Sequence, residues 1–420
     1  MIDVKEGWQV KKLGEICEFG NGLWTGKKPP FQKVGVIRNT NFTKDGKLDD
    51  TDIVYLEVEK SQFLKRKLRY GDIILEKSGG GPKQPVGRVI IFDKEQGDFS
   101  FSNFTSMIRI VNSAKVDFSY LHRFLFFSYI SGATEKMQSH STGIRNLKFD
   151  DYKDIYIPLP PLPEQQHIVS ILDETFAAIT QAKANAEQNL KNAKELFESY
   201  LQGVFEKKGE GWESMQLGKI ATFRNGMNFT KGSKGELIKI VGVRDFQKSF
   251  WAPLEKLESV TIDGKLNEID FLKQDDILAV RSNGNPELIG RTLLAGNVIG
   301  KVSHSGFTIR IRLDANVVSP LYLCHYLKTS KARKELVESG TGVNIKSLNQ
   351  GALSSLLISF PKSIDEQQII VQKLDILSIE TKKLEAIYQK KISDLEELKK
   401  SLLEKAFKGE LTDKLVEVLE

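Results

Sequence analysis

Hydrogen-bonding and cationic side chains are concentrated on turn-rich stretches in both halves of the 420-residue chain. In the first half they are Lys77, Ser78, Lys83, Gln84, Arg88, Asn103, His140, Arg145 and Asn146. In the second half they are Arg281, Ser282, Asn283, Asn285, Arg291, His304, Asn344 and Lys346. Arg and Lys pair with guanine edges, Asn and Gln with adenine edges, and Ser and Lys hold phosphates. The set predicts loops that read DNA, and a solvated surface role stays open for each residue taken alone.

Motifs for catalysis or metal binding are incomplete in this sequence. The stretch Gly20–Lys28 is one residue too long for a P-loop, and Lys28 stands where Ser or Thr is needed. The histidines show no ligand spacing, and Cys17 and Cys324 have no nearby ligand, so we expect neither structural zinc nor a disulfide. Asn285-Pro286 lacks the proline and aromatic residue with which adenine methyltransferases hold a flipped base. We therefore expect no catalytic residue and no metal site in this chain.

An internal repeat organises the chain. Glu164-Gln165-Gln166 recurs as Glu366-Gln367-Gln368 at an offset of 202 residues, and each copy opens a long helical stretch. The first copy follows Pro160, Pro161 and Pro163. A pattern that returns at half the chain length predicts two similar halves.

Each half also contains the signals of a mixed α/β unit. Short apolar runs bounded by Gly, Pro, Asn and Ser predict strands at Asp72–Leu75, Val86–Phe92, Ser106–Val111, Asp276–Val280 and Thr308–Leu313. Length and periodicity predict helices over Phe118–Tyr129 and Ser319–Glu338.

The two long helical stretches have the spacing of a coiled coil. The first carries an apolar stripe that we expect to form its seam, namely Leu172, Ile179, Ala186, Ala193 and Tyr200. The second repeats apolar residues at intervals of four and three. About forty residues at ~1.5 Å each give a rod of about 60 Å, longer than a domain core needs. Duplication about a pseudo-twofold axis predicts that the helices pair antiparallel and act as a spacer.

These signals predict an α+β fold in which two similar mixed α/β units are separated by a long antiparallel helical coiled coil. The expected divisions are 1–160, helix 161–208, 209–361, helix 362–410, and a tail, 411–420, near the first unit. Residues 1–160 carry 25 Lys and Arg against 20 Asp and Glu, and residues 211–361 carry 20 against 14. Basic charge on the two units suits a polyanion. No apolar run reaches the ~20 residues that span a bilayer, so we expect a cytoplasmic protein without membrane contact.

Over nearly its full length the sequence resembles the specificity (S) subunits of type I restriction-modification systems. The resemblance rests on Ile157–Gln166 with Leu172-Asp173, on Glu366–Gln368 with Leu374-Asp375, on Trp8 and Trp212, and on Ala406–Leu411. It implies two target recognition domains on paired helices, each reading one half of a bipartite site in double-stranded DNA. The spacing between the two readers would then fix the gap between the half-sites.

The resemblance also implies partners and cofactors. Two methyltransferase (M) subunits would dock at Pro160, Pro161, Pro163, Glu164, Gln165, Gln166, Glu366, Gln367 and Gln368. S-adenosylmethionine, ATP and Mg would belong to the M subunits and to restriction (R) subunits, with no cofactor in this chain. Two other interpretations stay open: a coiled-coil adaptor without DNA specificity, and a DNA-modifying enzyme in its own right.

Overall fold

The computed structural model describes residues 5–24, 26–81, 84–139, 144–230, 232–246, 249–263, 266–314, 316–338 and 347–412. Contacts divide the chain into two compact units. Unit 1 contains Met1–Ala186 and Lys390–Glu420, and unit 2 contains Glu187–Gln389. Each long helix therefore contributes residues to both units.

The elements of the two halves follow one another in similar order. The strands of the first half are β1 Gln9–Lys12, β2 Cys17–Asn21, β3 Phe31–Ile37, β4 Val54–Glu59, β5 Ile73–Glu76, β6 Ser78–Gly80, β7 Val89–Ile91, β8 Phe99–Phe101, β9 Thr105–Ile110, β10 Gln138–Ser139, β11 Arg145–Leu147 and β12 Tyr156–Leu159. Its helices are α1 Leu13–Ile16, α2 Lys60–Lys65, α3 Phe118–Ile130, α4 Phe149–Lys153 and α5 Leu162–Glu206. The strands of the second half are β13 Trp212–Gln216, β14 Ala221–Asn225, β15 Leu237–Val241, β16 Ser259–Thr261, β17 Ile277–Val280, β18 Thr292–Leu294, β19 Val302–His304, β20 Thr308–Leu313 and β21 Leu357–Pro361. Its helices are α6 Pro320–Leu327, α7 Ser330–Glu338, α8 Gln350–Ser355 and α9 Ile364–Lys408.

The sheets repeat strand for strand. Unit 1 has a four-stranded antiparallel sheet in the order β2-β9-β5-β7, and unit 2 has the matching order β14-β20-β17-β18. The sheet β4-β3-β8 corresponds to β16-β15-β19, and in both the last pair is parallel. The pair β1-β12 corresponds to β13-β21. Unit 1 also has the small sheet β10-β11-β6. The predicted fold class is thus confirmed: two similar mixed α/β units form an internal repeat.

A buried ion pair recurs at the same place in both four-stranded sheets. Arg109 on β9 donates two hydrogen bonds, of 2.7 and 2.6 Å, to Asp72, and Arg312 on β20 donates two of 2.7 Å to Asp276. Each carboxylate also accepts a backbone N–H three residues earlier in the chain. Both aspartates are buried, so their charges depend on these partners.

The start of each long helix is fixed by a buried glutamine. The Gln165 amide of α5 donates to the carbonyls of Lys115 and Pro160 at 2.9 and 2.8 Å and accepts the Asp117 N–H at 2.9 Å. Asp117 is the N-cap of α3. One side chain thereby joins the end of β12, the start of α3 and the first turn of α5.

Gln367 of α9 makes the same three contacts in unit 2. Its amide donates to the carbonyls of Val317 and Pro361 at 2.9 and 2.8 Å and accepts the Ser319 N–H at 2.8 Å. Gln165 and Gln367 are both 0% exposed. We call this pair the helix-start glutamines.

The ends of the long helices are held by a phenylalanine. In unit 1, Phe407 near the end of α9 packs edge-on against Tyr120 and Phe124 of α3, with ring centroids 5.5 and 5.0 Å apart. In unit 2, Phe205 at the end of α5 packs edge-on against Tyr322 and Tyr326 of α6, at 5.2 and 5.4 Å. Each unit therefore joins the start of one long helix to the end of the other.

Within unit 1 the two helix segments run antiparallel. Lys183 of α5 pairs with Glu396 of α9 at 2.6 Å, and Phe176, two turns earlier on α5, lies under the ammonium of Lys399, later on α9. Beyond the helix, the Thr412 hydroxyl donates to Glu164 at 2.9 Å, which places the described start of the tail in this unit. Residues 413–420 lie outside the described part of the chain.

The predicted seam of α5 is correct for most of its length and wrong at its end. Leu172, Ile179, Ala186 and Ala193 are buried, but Tyr200 is exposed and Leu201 is buried in its place. A straight α-helix drifts by ~20° per heptad from a strict seven-residue repeat. Over four heptads the drift moves the buried stripe by about one residue.

The helix expected over Ser319–Glu338 is two helices, α6 and α7. Thr329 lies between them, and its hydroxyl donates to the Tyr326 carbonyl at 2.7 Å and accepts the Ala332 N–H at 3.2 Å. Threonine thus caps the start of α7, a role that apolar periodicity does not report.

The contacts of the helix-start glutamines predict that Gln165→Ala destabilises unit 1. The change leaves the buried Pro160 carbonyl, the partly buried Lys115 carbonyl and the Asp117 N–H without their amide partner, which costs about 2 kcal/mol. Native-state hydrogen exchange of the α3 amides measures this loss. Gln166→Ala is the matched control, because Gln166 is the adjacent, exposed glutamine of the same helix turn. Equal protection in the two variants would show that the buried amide does not hold α5.

Candidate nucleic-acid interface

The structure brings several predicted residues of unit 1 together around strand β6. Asn146 on β11 pairs with Ser78 on β6, and the Ser78 hydroxyl donates to the Asn146 side-chain carbonyl at 2.5 Å. The Lys77 ammonium donates to the Asn21 side-chain carbonyl at 2.9 Å, and partial burial lowers its pKa. Arg145 lies opposite Gly80 on the same strand pair and is partly buried. This surface presents two cations and two amides.

The remaining predicted residues of unit 1 lie around this group. Gln84 is exposed and forms an isolated bridge with Gly81. Asn103 is partly buried in the turn between β8 and β9. Lys83 and His140 lie outside the described residues.

Arg88 is used inside unit 1. Its guanidinium donates to both carboxylate oxygens of Glu76 at 2.6 and 3.0 Å and to the carbonyls of Phe42 and Asn39 at 3.2 Å. Glu76 is buried, so loss of Arg88 would leave an unpaired buried carboxylate. The structure gives Arg88 an internal role that the sequence did not indicate.

In unit 2, Ser282 and Asn283 line an open cavity of about 630 Å³ together with Arg244, Ser305 and Phe307. The Asn283 side-chain carbonyl accepts the Asn285 N–H at 2.9 Å. Asn285 in turn caps the following turn by accepting the Glu287 N–H at 3.0 Å. These two asparagines shape the cavity loop.

The predicted arginines of unit 2 bind its backbone. The Arg281 guanidinium reaches the Gly306 carbonyl at 3.5 Å, and Arg291 donates to the carbonyls of Glu287 and Phe246 at 3.1 and 3.4 Å. Asn344 and Lys346 lie outside the described residues. Arg281 directly precedes Ser282, which lines the cavity, so it lies next to the cavity loop.

His304 was expected in a polar loop, and that expectation is wrong. His304 ends strand β19, is 1% exposed, and its Nδ1 lies 2.9 Å from the Thr308 hydroxyl. Burial, with the nearby guanidinium groups of Arg310 and Arg224, lowers its pKa to about 3. The flanking Ser303 and Ser305 are also buried. The polar composition of this stretch therefore did not indicate that it is buried.

The predicted partner-binding residues divide into buried and exposed members. Gln165, Gln367 and Pro160 are buried, so the two amides cannot face a partner while their internal hydrogen bonds hold. Glu164 is partly buried beside Thr412. The exposed members are Pro161, Pro163, Gln166, Glu366 and Gln368.

Two exposed aromatic residues at these surfaces were not among the predicted ones. Phe104 and Phe307 occupy equivalent turns of the two units, and their side chains are 48% and 61% exposed. A sequence signal for them exists, because Ser102-Asn103-Phe104-Thr105 recurs as Ser305-Gly306-Phe307-Thr308.

Among the described residues, no group of three or more His, Cys, Asp or Glu side chains could hold a metal ion. Both cysteines are buried free thiols, and burial raises the pKa of each. None of the described helices combines the length and the apolar character needed to span a bilayer.

Comparison with known proteins identifies the family. The family model for the type I restriction modification DNA specificity domain matches residues 5–191 and again residues 209–393. The chain therefore belongs to the type I restriction-modification DNA specificity family, and each half contains one copy of its domain. The predicted resemblance is confirmed.

Individual relatives match over most of their length. The StySPI type I restriction enzyme specificity subunit of Salmonella potsdam is 27% identical, with 97% of this chain and 90% of that protein covered. The EcoKI specificity subunit of Escherichia coli K12 is 26% identical with the same coverage. The crystal structure of the HsdS subunit from Thermoanaerobacter tengcongensis matches with a TM-score of 0.63 and 19% identity over 97% of this chain and 98% of that one. A chain from a type I R-M system matches with a TM-score of 0.78 and 18% identity, covering 98% and 100%.

The buried His304 predicts an acid-dependent loss of stability in unit 2. Its folded pKa of about 3 lies below the ordinary 6.5, so unfolding takes up a proton. Stability from this group is complete above pH 6.5 and falls as the pH drops toward 3. We expect His304→Asn to reduce the dependence of the urea midpoint on pH in that range. His167→Asn, at an exposed histidine, is the control, and equal pH dependence in wild type and His304→Asn would contradict the assignment.

Proposed function

We propose that this chain is the DNA-recognition scaffold of a type I restriction-modification complex and that it carries out no catalysis itself. Each unit reads one half of a bipartite site in double-stranded DNA. The observation that carries the proposal is the repeated specificity domain, in which both copies place a cation and a serine at the same turn. These are Lys77-Ser78 in unit 1 and Arg281-Ser282 in unit 2.

The turns are built in the same way, which supports a shared task. In unit 1 the Phe104 carbonyl accepts the N–H groups of Lys77 and Ser78 at 3.0 and 3.2 Å. In unit 2 the Phe307 carbonyl accepts those of Arg281 and Ser282 at 2.8 and 3.3 Å. Cationic and amide side chains on a fixed backbone suit both phosphate contact and base-edge recognition. Net basic charge on both units strengthens attraction to the DNA backbone.

We further propose that the methyltransferase subunits dock on the long helices. A stripe on α9 within unit 2, formed by Ile369, Ile376, Ile379 and Ile387, leaves half or more of each side chain exposed. The equivalent positions of α5 are His167, Glu174, Ala177 and Asn185. Exposed apolar stripes of this kind mark protein contacts. Two methyltransferase subunits would therefore bind through unequal surfaces.

Catalysis and cofactors belong to the partners in this proposal. The methyltransferase subunits bind S-adenosylmethionine, and restriction subunits use ATP and Mg. Because the ligand is cellular DNA, we place the protein in the cytoplasm. An adaptor without DNA specificity and an enzyme in its own right are the alternatives that the following experiment separates.

The proposal predicts half-site-specific losses of binding. The full chain with its methyltransferase partner is used to select a duplex from a randomised pool. Lys77→Gln combined with Arg145→Gln is expected to weaken discrimination in one half-site, and Arg281→Gln with Asn283→Ala in the other. Each lost phosphate contact should reduce the slope of log affinity against log salt by about 0.9. Lys11→Gln, at an exposed lysine on β1, is the control.

Two results would contradict the proposal and favour one of the alternatives. Salt-independent binding without sequence preference would favour the adaptor. Methyl transfer or cleavage by the purified chain alone would favour the enzyme.

The spacer role predicts a change of gap when α5 is shortened. Deleting Ala182–Gln188 removes about 10 Å of helix, or roughly three base pairs at ~3.4 Å each. We expect the selected half-sites to stay the same while the gap between them changes. A second variant that also lacks 391–397, the heptad containing the Lys183 partner Glu396, preserves helix pairing. An unchanged gap in both variants would refute the spacer.

A further inference from the structure

Each unit presents a phenylalanine on a tight turn between two strands. In unit 1 the turn Ser102–Thr105 joins β8 to β9, and in unit 2 Ser305–Thr308 joins β19 to β20. The N–H of each threonine donates to the carbonyl of the serine at 3.0 and 2.9 Å. The threonine hydroxyls donate to the same carbonyls at 2.8 and 2.7 Å. Both threonines are fully buried, so the turns are anchored.

A close backbone approach supports each turn from the side. A Cβ on Gly22 would lie 1.8 Å from the Ser102 carbonyl oxygen, and one on Gly226 would lie 2.2 Å from that of Ser305. Only glycine permits this contact, because any side chain would collide with the turn. The backbone that carries each phenylalanine is therefore closely packed against the glycine.

The aromatic rings themselves remain in solvent. Single exposed apolar residues are ordinary on protein surfaces. Here, however, exposure recurs at the same position of both units, 48% for Phe104 and 61% for Phe307. The surrounding loop residues differ between the units, for example Asn103 against Gly306 and Gly79 against Asn283. The phenylalanine is thus present in both units although its neighbours differ. Because its ring is exposed, packing within the unit does not explain its presence.

The rings stand among the residues assigned to DNA contact. The carbonyl of each phenylalanine holds the backbone of the neighbouring cation and serine, as described above. Phe307 also lines the cavity of unit 2 with Ser282 and Asn283. In unit 1, Phe104 lies near Gly79, whose added Cβ would be 3.5 Å from the ring. An exposed aromatic residue thus lies beside the cation and the serine in each unit.

We propose that Phe104 and Phe307 are specificity-determining residues, each inserting its ring as an apolar wedge between base pairs of its half-site. The inference rests on the proposed function. Apolar side chains that enter a base step partly unstack it and favour steps that deform easily. The neighbouring cations would bind the phosphates on either side of the base step. Because the turn is already anchored in the free protein, its backbone would lose little conformational entropy when the ring binds.

The proposal predicts losses that differ from those of charge removal. Phe104→Ser in the full chain with its methyltransferase partner should weaken binding to the selected duplex about 10-fold or more, as loss of aromatic base contact does. The slope of log affinity against log salt should not change, because no phosphate contact is lost. Phe104→Leu should retain part of the affinity, since leucine also acts as a wedge. Phe307→Ser and Phe307→Leu should behave likewise in the other half-site.

Phe31→Ser provides a matched control. Phe31 lies in the same unit and is 47% exposed. It begins strand β3, whereas the other end of that strand, Ile37, accepts the Ser102 N–H of the turn. Duplexes with 2-aminopurine at successive positions of the half-site report unstacking directly. Wild type should raise the fluorescence at one step, and Phe104→Ser should not.

Equal affinity and equal 2-aminopurine fluorescence in wild type, Phe104→Ser and Phe307→Ser would overturn the inference and leave the recognition function intact. A reduced salt slope in the serine variants would also overturn it, because it would show altered phosphate contact. Absence of sequence preference in the wild-type complex would instead overturn the proposed function together with this inference.

Discussion

The structure depends on a buried amide at the start of each long helix. Gln165 and Gln367 each connect the end of a strand, the start of a short helix and the first turn of a 45-residue helix. A buried amide is stable only when its donors and acceptor are paired, so it fixes the direction in which the helix leaves the unit. The phenylalanines Phe407 and Phe205 then fix the end of the other helix on the same unit. Each α/β unit is thereby joined to both helices.

In the proposed function, this arrangement would keep recognition in the loops and spacing in the helices. The polar turns that carry Lys77 and Arg281 are built on the four-stranded and three-stranded sheets, whereas the helix-start glutamines lie at the β12 and β21 ends. Loop residues can change without affecting the amide contacts, which are largely made to backbone atoms. A scaffold of this kind can acquire new half-sites while its helices keep their length. The two halves already differ in this way. In unit 1 Arg88 pairs with the buried Glu76, whereas the position equivalent to Glu76 in unit 2 is Val280.

The sequence was sufficient to predict the repeat, the mixed α/β units and the long helices, because these depend on periodicity and on motifs with regular offsets. It was not sufficient to place polar residues. The Glu-Gln-Gln motif suggested a partner surface, but its central glutamine is an internal connection. Likewise, Ser303-His304-Ser305 looked like a loop but is buried, and its first two residues end strand β19. Hydrogen bonds of Ser303 to the Asp270 carbonyl and of His304 to the Thr308 hydroxyl compensate the polarity of those two residues. The exposed rings of Phe104 and Phe307 lay outside the predicted set, because that set contained only polar and charged side chains.

The central claim is that the two similar units of this chain each read one half-site. Mapping methylated adenines across the genome in cells with and without this chain tests the claim most directly. A chain that acts as described should produce methylation at one bipartite sequence with two constant half-sites and a constant gap, and its removal should abolish that methylation. A single continuous motif, a variable gap, or an unchanged methylation map would contradict the claim.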